Sequence, residues 1–336
     1  MSLASLFAIA PGGGSFTVRF LALPLVATFV VACLAACMNY RRTLLVSFIA
    51  ASLLCTVWLG LYAWRPRWLV VALDDPRGAP TLGTVGWIER SPGLETADLA
   101  IDLAGERVDS IALVRLDPAR YQLSVHWDPS ASRPVEAWQR ELSAAVVVNG
   151  SYYEPDHSPS TPLRIAGKSI GPSPYSSSHG ALVLDDTAVD IIDLRDRDVA
   201  TEIGRHREAM VSYPLLVDPS GRSRAAGNDD WFANRVFVAL DTENRIVVGT
   251  TRTGFCSLRR LGDILRRSPL ALRVALNLDG GPLASQIVRV PGYERTILGN
   301  AESTGGHDVL RLAYQATRHA LGQRIPLPIV LAARPR

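Results

Sequence analysis

A chain of 336 residues with 48% hydrophobic content is long enough for one or two domains and apolar enough for a sizeable core. Its charge is uneven: residues 1–67 hold five arginines and no Asp, Glu or Lys, so the formal net charge of +3 leaves −2 for the remainder. Without clustered Lys and Arg interleaved with aromatics, a nucleic-acid partner is excluded.

The first predicted elements are two uncharged apolar runs, 20–38 with 19 residues and 43–64 with 22, separated by Asn39-Tyr40-Arg41-Arg42. As helices they reach about 28 to 33 Å, close to the ~30 Å hydrocarbon thickness of a bilayer. With Trp64, Arg65, Arg67 and Trp68 at their end, they predict two transmembrane helices and a membrane anchor over 1–67. Arg41 and Arg42 favour a cytoplasmic short loop, which places the following domain outside the cytoplasm, in a periplasmic, extracellular or lumenal space. Arg65 and Arg67 pull the other way, so the arrangement with both ends cytoplasmic stays open. The stretch beginning at Met38 also reads as a signal anchor by itself, with Met38 as an alternative start to Met1.

Residues 68–107 are rich in Pro, Gly and Asp with weak periodicity and read as a stalk or entrance to the domain. Alternating patterns then predict strands at 110–116 and 121–127, with Arg120-Tyr121 turning a hairpin between them. An amphipathic helix is predicted over 134–143, with Val135, Trp138 and Leu142 on one face and Pro134 at its start. It leads into an apolar strand around Val146. Residues 155–175 carry five prolines among serines and threonines, a long loop placed to cover a site. Further strands are expected at 181–184, 188–193, 235–240, 246–251, 274–278 and 286–290. Helices are expected over 256–267, where Leu258, Leu261, Ile264 and Leu265 recur at helical spacing, and over 308–320. Many strands with few helices and no regular βαβ alternation predict an α+β domain around a mixed β-sheet, 108–334.

Cys33, Cys37 and Cys55 lie in the apolar runs, which leaves Cys256 alone in the rest of the chain. That rules out a disulfide or thiolate metal site within the domain, and Cys256 reads as a core residue at one end of a helix. No histidine pair has zincin-like spacing, so no metal is assigned and no cofactor is required. Calcium or magnesium held through oxygen ligands leaves no signature spacing and stays open.

Chemistry concentrates in two strand ends. Residues 273–285, RVALNLDGGPLAS, run an apolar strand into Asn277, Asp279, Gly280 and Gly281, which puts a carboxylate beside backbone that a ligand can approach closely. A strand that ends in a plain Asp-Gly turn is the competing reading. Residues 144–154, AAVVVNGSYYE, repeat the design with Asn149, Gly150, Tyr152, Tyr153 and Glu154. His179, after the long loop, stands at a strand start where it either faces a phosphate or serves as a surface histidine.

In the same order, Asn149-Gly150-Ser151-Tyr152-Tyr153, Asn234-Arg235, Asn277-Leu278-Asp279-Gly280-Gly281, Glu294-Arg295-Thr296 and Ile325-Pro326-Leu327-Pro328 resemble blocks of the phosphodiester glycosidase family, from about Val108 to Arg334. The resemblance implies a membrane-anchored hydrolase that cleaves the glycosidic bond of a sugar 1-phosphodiester or acts on a surface glycan, with a carbohydrate or sugar-phosphate substrate. The leaving phosphate monoester has a second pKa near 6 and needs little protonation, so such a site chiefly holds charge. Arg235 and Arg295 are the candidate phosphate clamps, with structural ion pairing as their alternative role, and the Gly280 and Gly281 amides are candidate donors. Asp279 would activate water or stabilise the sugar cation, with Glu154 as second carboxylate. Asn149, Gly150, Tyr152, His179 and Asn277 complete the expected substrate contacts. Ser151 and Pro282 stand where the family has glycine, and Pro282 removes an amide donor. The alternatives are therefore a non-catalytic glycan- or phosphosugar-binding module in exopolysaccharide assembly, and a partner subunit that docks through its apolar pair.

Overall fold

The computed structural model describes residues 78–176, 179–225, 231–303 and 324–336, with a few isolated positions elsewhere. The predicted spans 20–38 and 43–64 lie outside the described residues apart from Ser52, Leu53, Cys55 and Thr56, and among the described residues no helix is long and apolar enough to cross a membrane. The predicted helix over 308–320 likewise lies outside them, save Gln315 and Thr317.

The largest sheet contains β1 (Thr81–Leu82), β2 (Ile88–Ser91), β3 (Leu94–Leu103), β4 (Glu106–Leu116), β12 (Leu215–Val217), β14 (Val236–Asp241), β15 (Ile246–Thr251) and β16 (Leu272–Asn277), in the order β1-β3-β4-β15-β14-β16-β12 with β2 on β3. A second sheet has the order β18-β17-β6-β20-β5, built from β5 (Tyr121–Trp127), β6 (Val146–Asn149), β17 (Ser285–Val290), β18 (Tyr293–Leu298) and β20 (Ile329–Pro335). The third has the order β10-β9-β11-β7-β8, from β7 (Leu163–Ile165), β8 (Lys168–Ile170), β9 (Gly180–Leu184), β10 (Val189–Asp193) and β11 (Glu208–Ser212). A short ribbon pairs β13 (Phe232–Ala233) with β19 (Glu302–Ser303).

The side-chain period of two along β14 shows how the layers assemble. Val236, Val238 and Leu240 face a core shared by all three sheets, with Val148 and Leu331 from the second and Leu182 and Met210 from the third. Phe237 and Ala239 point the other way, into a layer closed by α3 (Leu258–Arg267) through Leu261, Ile264 and Leu265. Cys256 is buried in that layer just before the helix. Helix α1 (Val135–Leu142) covers the outer face of the second sheet with Val135 and Trp138, and α2 (Val199–Gly204) covers the third with Val199 and Ile203.

The chain is thus α+β, mostly strand with a few helices, and three details differ from the expectations. Every strand pairing among the described residues is antiparallel, not mixed. Much of the predicted stalk belongs to the domain, because β3 inserts Leu94, Leu99, Ile101 and Leu103 into the core with no more than 4% exposure. Residues 110–116 and 121–127 form strands but no hairpin: β4 pairs with β3 and β15, whereas β5 pairs with β20 in another sheet.

Candidate active site

The two Asn-Gly strand ends interlock. As β16 ends, Leu278 N donates to Val236 O at 2.9 Å and Asp279 N donates to Gly150 O at 3.0 Å, so the Asp279-Gly280-Gly281 turn crosses from the large sheet to the end of β6. Asn149 Nδ2 donates to Asp279 O at 2.8 Å, while its Oδ1 accepts from Ser285 N at 2.9 Å. Gly281, at φ +63°, donates its amide to Asn234 O at 2.8 Å and opens a 3-10 turn, Gly281–Leu283. Asn234 in turn holds the following loop, its Oδ1 accepting from Asn300 N and Ala301 N.

Three charged groups meet at this turn. Arg235 is buried with 7% of its surface still exposed. Its Nε donates to Cys256 O at 3.0 Å and its Nη2 to Trp231 O at 2.8 Å. Among the described residues Nη1 makes no hydrogen bond and no carboxylate lies within ion-pair distance. A β-carbon placed on Gly280 would lie 3.7 Å from Nη1, so the guanidinium runs alongside that glycine. Burial pulls the pKa of this cation down, which marks it as desolvated and ready for an anion.

The Asp279 carboxyl is pushed up to about 7 by burial, against the Gly280 amide that donates to its Oδ1 at 2.7 Å; the Glu302 charge raises it further and Arg235 lowers it. A carboxyl that titrates near neutrality can both take and give a proton. Glu302, on β19, lies against the other glycine: a β-carbon on Gly281 would fall 3.2 Å from its Cδ and Oε2. Its Oε1 accepts from the Trp231 indole at 3.2 Å.

Aromatic rings form the adjoining wall. Tyr152 stacks on Tyr213 with centroids 4.4 Å apart, and Tyr213 stacks on His179 at 4.3 Å. The Tyr152 hydroxyl donates to Tyr213 O at 2.9 Å and accepts from Asn277 Nδ2 at 2.6 Å, while Tyr175 OH and His179 Nδ1 share a 2.7 Å hydrogen bond. Burial, then the Asp279 charge, raises the pKa of both tyrosines of the stack, and burial lowers that of His179. At neutral pH the wall is therefore an uncharged, hydrogen-bonding surface beside the carboxyl.

Residues 143–308, which include every group just described, match the family model described as phosphodiester glycosidase. They resemble a phosphodiester glycosidase domain. The catalytic domain of zebrafish N-acetylglucosamine-1-phosphodiester alpha-N-acetylglucosaminidase, auto-inhibited by its pro-peptide, has a similar fold, with TM-score 0.53 and 16% identity over 77% of this chain and 89% of that one. A hypothetical protein from Synechocystis aligns with TM-score 0.47 and 13% identity over 76% of this chain, and the match spans 64% of that protein. No curated protein matches the sequence.

Within this site several expected roles change hands. The Gly280 and Gly281 amides are spent on Asp279 Oδ1 and Asn234 O, so neither is a phosphate donor. Asn149 has both ends of its amide engaged and positions the turn rather than reaching a sugar. Gly150 is a packing glycine, since a β-carbon there would meet Ile329 Cγ2 at 2.3 Å. Asn277 is fully buried and supports Tyr152, though its Oδ1 has no partner. Arg295 is not brought to Asp279: its Nη2 donates to Leu113 O at 2.8 Å and to Gln286 Oε1 at 2.9 Å, a strut between the first and second sheets. Glu154 is exposed, and its charge bears on Tyr213 rather than on Asp279. Among the described residues no group of three or more His, Cys, Asp or Glu could hold a metal ion.

Glu302, Tyr213 and Trp231 are the members of the site that the sequence reading missed. Glu302 carries no local signal, because the side chain of Asn234 holds its loop from 66 residues away. Tyr213 follows the apolar strand β11 as Tyr152 follows β6, and that repeated design was the clue that could have found it.

Proposed function

We propose that the protein hydrolyses the glycosidic bond of a sugar 1-phosphodiester. The observation that carries this reading is Arg235: a buried cation tied to two carbonyls, with no carboxylate partner, beside a carboxyl that titrates near neutrality. Nη1 of Arg235 binds the phosphate and takes up the charge that grows there as the C1–O bond breaks. Water adds to C1, its proton passes to the Asp279 carboxylate, and the products are free sugar and a phosphate monoester that needs no acid to leave. Glu302 replaces Glu154 as the second carboxylate and stabilises positive charge on the sugar ring. His179 offers a flat face to that ring, and Tyr213, stacked on both sides, offers its hydroxyl edge. The apolar runs 20–38 and 43–64 support a membrane-tethered protein with this domain outside the cytoplasm.

The test is release of free sugar from a panel of sugar 1-phosphodiesters by the full chain, beside Arg235→Gln and Asp279→Asn. Each variant should lose about 10²- to 10³-fold in kcat/KM, the effect of removing one charge-stabilising or proton-transfer group. Retention of phosphosugar by a folded wild-type protein that turns over none of the panel would instead establish the binding-module alternative.

A further inference from the structure

We infer that Trp231 is the platform for the second arm of the phosphodiester, the alcohol that stays on the phosphate, and that it selects alcohols with a flat apolar face such as a ring. The inference rests on the hydrolysis proposed above and extends it from the sugar to the leaving group.

Trp231 is the only aromatic among the large hydrophobic side chains exposed in the described residues, at 47%. Its indole leaves a flat apolar face open beside Glu302. Two bonds fix where it stands. Its Nε1 donates to Glu302 Oε1 at 3.2 Å, which ties the ring to Glu302, and its backbone carbonyl accepts from Arg235 Nη2 at 2.8 Å, which ties the residue to the cation on the other side of the glycine turn. Geometry then divides the site. The proposed hydrolysis puts the anomeric carbon at Asp279; Asn277, two residues before it, holds the Tyr152 hydroxyl at 2.6 Å, so the hydrolysed sugar takes the side of the stacked wall. The phosphate takes the open Nη1 of Arg235. The other ester oxygen leaves the phosphate on the remaining side of the guanidinium, where Trp231 accepts from Nη2. A ring there covers the indole face by stacking, the arrangement by which aromatic side chains hold sugars and other flat groups.

The experiment compares two substrates that share a sugar 1-phosphate and differ only in the second arm, methyl against a pyranose, with wild type, Trp231→Ala and Trp231→Phe in the full chain. Thermal unfolding of each variant establishes that it is folded. The ratio of kcat/KM for the pyranose arm over the methyl arm should fall about tenfold in Trp231→Ala, through KM. Trp231→Phe should keep that ratio while both substrates share any loss from the missing hydrogen bond to Glu302. An unchanged ratio in Trp231→Ala, or a loss that follows the identity of the hydrolysed sugar instead, overturns the inference. If wild type hydrolyses neither diester, the proposed reaction fails by itself. Equilibrium binding of the same two intact diesters then decides: an affinity loss of about tenfold confined to the pyranose arm upholds the platform, and an equal loss for both sinks it.

Discussion

Replacing Asp279 with Asn should cut turnover about 10²- to 10³-fold and, at the same time, stabilise the fold above neutral pH. The wild-type carboxyl is raised from 3.8 to about 7, chiefly because the folded protein withholds water from its charged form. Between those values the folded state holds a proton that the unfolded state has released, so wild-type stability falls as pH rises through this window and is level above it. At ~1.4 kcal/mol per pH unit the full displacement corresponds to a ceiling of about 4 kcal/mol, and the partial exposure of the side chain brings the expected value to about 2 kcal/mol. Asn carries no charge and its Oδ1 still accepts from Gly280 N, so the variant escapes the penalty without losing the bond. Asp109, whose buried carboxyl is likewise pushed up to about 7 by burial, would blur a wild-type curve alone. It cancels in the difference between wild type and variant. Denaturant unfolding near pH 4.5 and near pH 8 measures that difference, which should be about 2 kcal/mol at the higher pH and about a quarter of it at the lower. A difference that does not grow with pH would refute the desolvation of Asp279, and with it the argument that this carboxyl is poised for proton transfer.

Glu302→Gln removes a like charge that raises the Asp279 pKa, so the rising limb of the kcat/KM against pH profile should move to lower pH. A midpoint that stays in place would uncouple the two carboxylates. Gly280→Ala would drive a β-carbon to 2.6 Å from the Asn234 carbonyl oxygen; a loss of about 1–3 kcal/mol by thermal or denaturant unfolding is expected, and full stability would mean the turn is looser than described. Arg295→Met leaves Gln286 Oε1 and Leu113 O short of a donor, so it should cost about 2–3 kcal/mol of stability and leave KM unchanged. A raised KM with intact stability would return Arg295 to the phosphate.

What the sequence made legible follows from where each strand lies. Strands β14 and β16 are central and covered on both faces, so they read as unbroken apolar runs whose polar ends had to carry the chemistry. Strand β3 is different. Its buried residues are mostly apolar, but between them it carries Glu95, Asp98 and Asp102, which pair with Arg115, Arg252 and Arg107. These partners lie on other strands or beyond, and without them the segment reads as a polar stalk. The hairpin β7–β8 was hidden by the prolines around it, although Ala166 and Gly167, at φ +47° and +80°, form the two-residue turn between Ile165 and Lys168 that such a hairpin needs. Arg295 misled for the opposite reason. The resemblance of Glu294-Arg295-Thr296 to a family block implied a clamp, whereas its strand places the cation between sheets.

The two departures from the family pattern bear on catalysis less than their chemistry suggests. Pro282 stands at the start of the 3-10 turn, where an amide has no partner within the turn. The two amides before it are already engaged, so the missing donor at 282 takes nothing from a phosphate that Arg235 is placed to hold. Ser151 has no positive φ that would require glycine, and its buried hydroxyl lies 3.3 Å from that of Thr161. The electrostatics then set a direction for the proposed reaction. The Asp279 and Glu302 carboxyls beside Arg235 repel a doubly charged monoester more than a singly charged diester, so hydrolysis favours departure of the phosphate product. A site with additional amide donors at Gly280, Gly281 and position 282 would bind that dianion more tightly and release it more slowly, which makes the spent amides compatible with turnover rather than evidence against it.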